Sequence, residues 1–381
     1  MINLIILILL GILFHTYVLY PWLLKFLGNT SKPNQAFDDL PKVSFIVAAY
    51  NEEACLPAKI ENFKALDYPL EKLEILIGSD GSSDGTNEIL KGLEQPFKSF
   101  LYPVNEGKAM VLNKLVQEAS GELLIFCDAN TILAKDAVQE LIVPFIDHQV
   151  GCVCGQLILK DSGKTHLGGG ESLYWQVEKF IKAKEGQLGF LMGANGALYA
   201  IRKALFKELP THKTIMDDFY ISIQVMLQGF KCTYQKSAQG VEATSKQAMG
   251  EFQRKIRIGQ ANYHFLGLYL KLLNPLKPMR AFCFLSHKLL RWFAPHFLLL
   301  LFVVCFLFTY QSLFVKGLFL AQVIFYGLAF WAYKKEGRDV WKGAKIAFYF
   351  SSMNLALALG FWRAIQPSAG GGWERIERDE E

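Results

Sequence analysis

Val43-Ser44-Phe45-Ile46-Val47-Ala48-Ala49-Tyr50-Asn51-Glu52-Glu53 is a mostly apolar run that breaks abruptly into a polar cluster. A short run rich in Val, Ile and Phe suits a buried strand, and a polar cluster directly behind it suits the turn into a helix. The pattern recurs. Leu73–Gly78 leads into Ser79-Asp80-Gly81-Ser82-Ser83-Asp84-Gly85-Thr86, and Phe100–Pro103 into Asn105-Glu106-Gly107-Lys108. Leu123–Cys127 leads into Asp128-Ala129-Asn130-Thr131, and Val150–Leu159 is a fifth apolar run. Helices fit between these runs at 52–66, 84–95, 107–119 and 135–146. Strands alternating with helices predict an α/β domain over residues 40–275.

In open α/β sheets ligands bind at the carboxyl ends of the strands, so the four polar clusters are the candidate site. Each has a plain local reading on its own. Ser83 and Asp84 suit caps for a helix at 85–95, and Asn105 suits a turn. Three acids and a lysine converging on one sheet edge ask for more than caps. Gly81, Gly85 and Gly107 would let backbone approach a bulky ligand closely. No G-x-G-x-x-G follows a strand and no G-x-x-x-x-G-K-[ST] occurs, so neither a dinucleotide fold nor a P-loop is indicated.

Outside this block the composition shifts. Hydrophobic residues make up 52% of the 381-residue chain and charged residues 20%. The apolar excess lies in residues 1–24 and from about 281 onward, near the limit for a soluble protein. Residues 1–24 carry no charge before Lys25, and a span needs about 20 apolar residues. The stretch has no basic leader and no small-residue cleavage site, so it reads as an anchor (residues 1–26). Lys25 and Lys32 follow it, which predicts that residue 25 onward is cytosolic. Three more spans are expected at 294–312, 316–333 and 345–363, within a segment 294–366 ahead of a polar tail at 367–381. Basic and aromatic residues interleave between Met279 and Trp292, so an interfacial helix is expected at 276–293, with His287 at the headgroups. Lys334, Lys335, Arg338, Lys342 and Lys345 predict a cytosolic loop. Ser351, Ser352 and Asn354 leave open a re-entrant third segment, which would return the tail inside.

A formal charge of +5 gives no case for nucleic-acid binding. Seven cysteines are no disulfide framework; Cys152 and Cys154 fall on one face of a strand and read as core. No histidine has metal-ligand spacing. Gly168-Gly169-Gly170 reads as a hinge before a helix at 171–186. Asn29-Thr30-Ser31 fits a glycosylation sequon that a cytosolic location would leave without meaning.

The ordered series Val43–Glu53, Ile77–Thr86 and Asn105–Ala109 resembles glycosyltransferase family 2. The likeness continues through Gly193-Ala194-Asn195-Gly196-Ala197-Leu198-Tyr199-Ala200-Ile201-Arg202 and Met216-Asp217-Asp218, covering about residues 40–265. Ser286–Trp292 and the flanking spans resemble the membrane-bound cellulose, hyaluronan and poly-N-acetylglucosamine synthases of that family. The resemblance implies a GT-A fold, a Rossmann-like mixed sheet in a cytosolic nucleotide-diphospho-sugar transferase domain, with α-helical transmembrane segments. It places Ala48, Tyr50 and Glu52 along the nucleotide, Asp80 on the base (normally uracil) and Lys108 nearby. Asp128 and Asn130 occupy the D-x-D position that holds Mg²⁺ or Mn²⁺ on the donor diphosphate. Asp218 stands at the general base, with Asn195, Gly196 and Asp217 on the acceptor side. Arg254 and Arg257 fall in the Q-x-x-R-W position and would stabilise the leaving group.

These types suit the chemistry. The diphosphate leaving group gathers charge that a divalent metal neutralises, and the acceptor hydroxyl needs an in-line carboxylate base. Asp217-Asp218 also has a local reading, as two acids in the first turn of a helix. The sequence departs from the family at Asn130, at Met216-Asp217 in place of Thr-Glu, and at Ile258, where processive synthases place tryptophan. The expectation is therefore an inverting hexosyl- or N-acetylhexosaminyltransferase of the bacterial inner membrane, adding one or few sugars. Its partners would be a nucleotide-sugar donor (UDP-linked), a lipid-linked or glycan acceptor and membrane lipids, with no nucleic acid. The rivals are a processive polysaccharide synthase and a catalytically silent nucleotide-binding regulator.

Overall fold

The structure is a computed structural model that describes residues 2–27, 37–160, 168–243, 248–335 and 340–366. Eight strands form one sheet: Val43–Ala49 (β1), Leu73–Asp80 (β2), Phe97–Tyr102 (β3), Leu123–Phe126 (β4), Ile132–Leu133 (β5), Val150–Lys160 (β6), Tyr199–Arg202 (β7) and Lys231–Ala243 (β8). Their order is β3-β2-β1-β4-β7-β6-β8-β5. β1, β2, β3 and β4 run parallel, and β7 pairs antiparallel with both β4 and β6. β6 and β8 run parallel to each other.

The parallel half follows from the sequence pattern. Every residue of β1 and β2 is buried, as both faces of a parallel sheet demand, and that burial explains unbroken apolar runs in place of alternation. Helices Leu56–Lys64, Thr86–Lys91 and Lys108–Glu118 fill the expected crossovers, shorter than the pattern suggested. β2 runs two residues past its expected end, so Asp80 closes the strand rather than following it. One core beneath the sheet joins Phe45, Ile75, Ile125 and Phe63, with the Phe45 and Phe63 rings 4.8 Å apart. Each such buried side chain contributes about 1.5–3 kcal/mol. Cys152 and Cys154 are fully buried, as strand-face core predicts.

By internal packing the chain forms two compact units. Gly28–Ser162 and Lys182–Ser245 form one and hold the sheet; Met1–Leu27, Gly163–Ile181 and Lys246–Pro367 form the other. The division falls elsewhere than the expected block 40–275. The helix Ala248–His264, which carries Arg254 and Arg257, belongs to the second unit. Gly168-Gly169-Gly170 opens the helix Gly168–Gln187 and is not a hinge ahead of it.

Among the described residues of the second unit, four helices are long and apolar enough to cross a membrane: Ile2–Leu23, Pro278–Leu307, Leu313–Lys334 and Lys342–Ile365. The expected interfacial helix is not a separate element. Residues 278–307 run on as one helical stretch, with a wider π-type turn at Phe284–Leu289. His287 is no headgroup contact either. It is fully buried, and its Nε2 lies 3.2 Å from Glu178, which also accepts from Lys288 Nζ (3.2 Å) and Arg291 Nη1 (2.8 Å). Lys288 and Arg291, which looked amphipathic in sequence, thus converge with His287 on one buried carboxylate. Lys342–Ile365 is a continuous helix whose polar residue Asn354 turns inward, donating to the Phe350 carbonyl at 2.9 Å. Its Gly360 lets it touch helix Ala248–His264, since a Cβ there would stand 2.7 Å from Ile256 O. Asn29–Ser31, Lys32, Arg338 and the tail 367–381 lie outside the described residues.

Candidate active site

The loops at the carboxyl ends of β1 to β4 are tied to one another by side chains. Behind β1, Asn51 adopts a left-handed backbone (φ 55°), and its N–H donates to Ser82 Oγ at 3.1 Å. Ser83 N–H donates back to Asn51 Oδ1 at 2.8 Å. Glu52 N–H donates to Thr86 Oγ1 (2.8 Å), Glu53 N–H to Asp84 Oδ2 (3.2 Å), and Gly85 N–H to Glu53 Oε2 (2.8 Å). Asn51, Glu53 and Asp84 therefore build the site wall. Ala48 is buried, while Tyr50 and Glu52 remain partly exposed, and Cys55 Sγ donates to Glu52 Oε2 at 3.0 Å.

Asp80 is fully buried. Its oxygens accept the N–H groups of Glu106 (2.8 Å) and Gly107 (2.9 Å). This clamp sets the turn in which Gly107 takes φ 94°, a value that strains any residue with a Cβ. Burial pushes the Asp80 carboxyl up, against the pull of these two bonds. The clamp delivers Lys108 to the first position of the next helix.

Lys108 gathers the acids. Its Nζ donates to Asp128 Oδ1 at 2.9 Å and lies 3.2 Å from Asp217 Oδ2. Burial alone would lower the Lys108 ammonium, but the charges of Asp128 and Asp217 outweigh it and hold it above the ordinary lysine range. Asp217 and Asp218 open the helix Asp217–Leu227, and Asp218 Oδ1 accepts Phe219 N–H at 2.7 Å. The pair thus opens the helix, and its first member faces Lys108. Burial and the neighbouring Asp217 raise the Asp218 carboxyl to about 6, against the pull of Lys108 and Lys182. A carboxylate so tuned is a competent base at neutral pH.

The segment ahead of this helix lines the same region. Asn195 Oδ1 accepts Ala197 N–H at 3.1 Å, and Ala194 N–H donates to Ser222 Oγ at 3.2 Å. A Cβ on Gly196 would stand 3.2 Å from Asp128 Oδ2 and would crowd that carboxylate. Asn130 is partly exposed, two residues from Asp128.

The structure therefore brings together Lys108, Asp128, Asp217, Asp218 and Gly196 from loops far apart in sequence. Arg254 and Arg257, on Ala248–His264, are partly exposed in the other unit. Two residues were not singled out by sequence. Lys182 bears on Asp218 from the helix Gly168–Gln187 and carries no motif. Tyr199 lies inside the Gly193–Arg202 likeness; its ring stacks on Phe126 at 4.8 Å, and its hydroxyl is buried without a hydrogen-bond partner among the described residues. Burial, then the charges of Asp217 and Asp218, push its phenol up.

Among the described residues no group of three His, Cys, Asp or Glu is arranged for a metal ion. The site fits a different mode. Carboxylates close enough to share one ammonium supply oxygen donors, and Mg²⁺ takes one or two carboxylates plus substrate phosphates and water.

Residues 44–209 match the family model described as glycosyl transferase family 2. The poly-β-1,6-N-acetyl-D-glucosamine synthase of Staphylococcus aureus (strain COL) is 27% identical over 242 residues, 62% of this chain and 58% of that protein. The synthase of the same name from Staphylococcus epidermidis is 28% identical over 230 residues, 59% of this chain and 55% of that one. The chain thus spans less than two thirds of the length of the curated relatives it matches. A mannosyltransferase from Pyrobaculum calidifontis, solved in complex with GDP-Man and Mn²⁺, shares the fold. Its TM-score is 0.69 at 20% identity, over 96% of this chain and 99% of that one. The sheet and its acidic strand-end loops lie largely on this matched segment, so residues 44–209 form a domain like those of glycosyltransferase family 2, on a GT-A-like fold.

Proposed function

We propose that the sheet-bearing unit transfers one or a few sugars, with inversion, from a nucleotide-sugar to a hydroxyl of a lipid-linked or glycan acceptor. The observation that carries this reading is Lys108 holding Asp128 and Asp217 together beside the raised carboxyl of Asp218. Asp218 takes the proton of the acceptor hydroxyl as that oxygen bonds to the sugar's anomeric carbon and the bond to the diphosphate breaks. Lys108 carries a positive charge to the place where the leaving group gathers negative charge. A Mg²⁺ or Mn²⁺ ion, when bound, neutralises the diphosphate, with Asp128 as the carboxylate that would hold it and Asn130 at the second family position. Asp80 acts through backbone by fixing the turn that presents Lys108. Ala48, Tyr50 and Glu52 flank the nucleotide, and Asn195 and Gly196 the acceptor side.

The apolar helices anchor this unit at the cytosolic face of a bacterial plasma membrane, since Lys25 follows the first of them. The resemblance favours uridine as the base, while the mannosyltransferase of like fold was solved with GDP-Man, so both classes enter the test.

A donor screen for released nucleoside diphosphate, with Mn²⁺ and a lipid extract, should give turnover on one donor class. Asp218→Asn should lower it by about 10²- to 10⁴-fold while the protein stays folded. Wild-type turnover in Asp218→Asn removes the base, and silence on every donor sinks the reading. A processive synthase is the second reading, because the curated relatives carry that name. Ile258, where a stacking tryptophan would stand, favours short products, and a ladder of long polymer would reverse the choice.

A further inference from the structure

We propose that the divalent cation of this site is held by Asp128 and Asp217, with Asn130 outside its ligand set, and that Lys108 occupies the cation's place until donor arrives. The proposal rests on the transferase reading and sharpens it.

Three observations carry it. First, the sequence lacks the second acid of D-x-D, and an amide at 130 supplies an oxygen but no charge. A hard dication needs that charge from elsewhere. Second, the side chain that shares a cation with Asp128 is Asp217. The Lys108 ammonium bridges them at 2.9 Å and 3.2 Å, so both carboxylates reach the position of a single cation and would close in on a smaller metal ion. These side chains are partly open to a ligand, at 33% exposure for Asp128 and 16% for Asp217. Third, the fully buried Tyr199 hydroxyl has no hydrogen-bond partner among the described residues, and the carboxylates whose charge bears on it are Asp217, Asp218 and Asp128. A water in the metal's shell would give that hydroxyl a partner. The room that Gly196 leaves beside Asp128 is on the same side chain.

One ammonium and one dication compete for the facing oxygens of the two carboxylates. The donor diphosphate resolves the competition, because it binds the metal and offers Lys108 a new anion. Metal and nucleotide should therefore bind with strong mutual dependence, and Lys108 is its source.

Mn²⁺ binding, followed by its paramagnetic resonance signal and by calorimetry with and without UDP or GDP, tests this directly. Asp217→Asn and Asp128→Asn should each weaken Mn²⁺ by about tenfold or more, while Asn130→Ala changes it little. Lys108→Met should tighten Mn²⁺ without nucleotide and flatten the nucleotide dependence. Asp217→Cys should exchange Mn²⁺ preference for Cd²⁺, a gain that a merely damaged fold would not produce. The proposal is overturned if Asn130→Ala loses Mn²⁺ while Asp217→Asn keeps it, or if the wild-type protein binds no Mn²⁺ even with nucleotide. Donor turnover is read separately: turnover with Mn²⁺ binding indifferent to Asp217 leaves the transferase reading intact and removes this one.

Discussion

The two ends of the parallel strands treat carboxylates in opposite ways. Within β2, toward the end away from the site, Glu74 is almost fully buried and richly supplied. It accepts from Lys98 Nζ (2.6 Å), Ser44 Oγ (2.5 Å), Ser120 N–H (2.8 Å) and Ser120 Oγ (3.0 Å). Burial would raise its carboxyl, but the bonds from Lys98, Ser44 and Ser120 overcome it and hold the group down at about 2. At the carboxyl end three aspartates cluster around Lys108, and Asp218 is pushed up to about 6. One end has donors to spare and is finished as structure. The other crowds carboxylates together, so that they push on one another as well as on Lys108. A carboxylate in this fold declares its role by whether donors or other carboxylates surround it.

The contrast breaks most visibly at Glu74. Glu74→Ala would strand the Ser120 and Ser44 donors and should cost about 3 kcal/mol in a denaturant melt. A loss under about 1 kcal/mol would erase the distinction between the ends. Acid gives the same contrast without mutation. Glu74 binds its proton less readily folded than unfolded, so its contribution is complete above pH 4.5 and drains as the pH falls toward about 2. Up to about 3 kcal/mol should disappear across that window, and Glu74→Gln should flatten that part of the pH–stability curve. The smallest effect belongs to the site. Asp217→Asn relieves repulsion on Asp218 and should leave the unfolding midpoint unchanged or raise stability by about 1 kcal/mol. A clear loss of stability would mean that the carboxyl end is structural as well.

The parallel half of the sheet was legible because burial on both faces writes itself as unbroken apolar runs, as in Val43–Ala49. The strand-end clusters were legible for the same reason, since each marks where burial stops. β7 and β8 were not. Tyr199–Arg202 has only four residues, and Lys231–Ala243 mixes in Lys, Gln and Ser. Nor does periodicity reveal how polar groups divide their labour. Asn51, Glu53 and Asp84 bind one another's backbone, and Asp80 spends both oxygens on the Glu106–Gly107 turn. The bridge from Lys108 to Asp217 joins distant segments, and only the folded chain shows it. In the other unit, Lys288 and Arg291 read as membrane-surface residues because their partner, Glu178, lies on another helix.

The helix Leu56–Lys64 contributes no group to the acidic cluster, yet it holds the strand-end segment that carries Asp128 from two sides. Lys59 is wholly buried; its Nζ lies 4.5 Å from the Phe63 ring centre and donates to Cys127 Sγ (2.9 Å) and the Thr131 carbonyl. Asn62 brackets Leu133, accepting its N–H and donating to its carbonyl, each at 2.8 Å. Asp128 and Asn130 thus ride on a mount whose bolts are Lys59 and Asn62. For anyone selecting variants with altered donor preference, this helix is a tuning screw reached from behind: changes there would reset the aim of Asp128 without substituting any ligand-facing side chain.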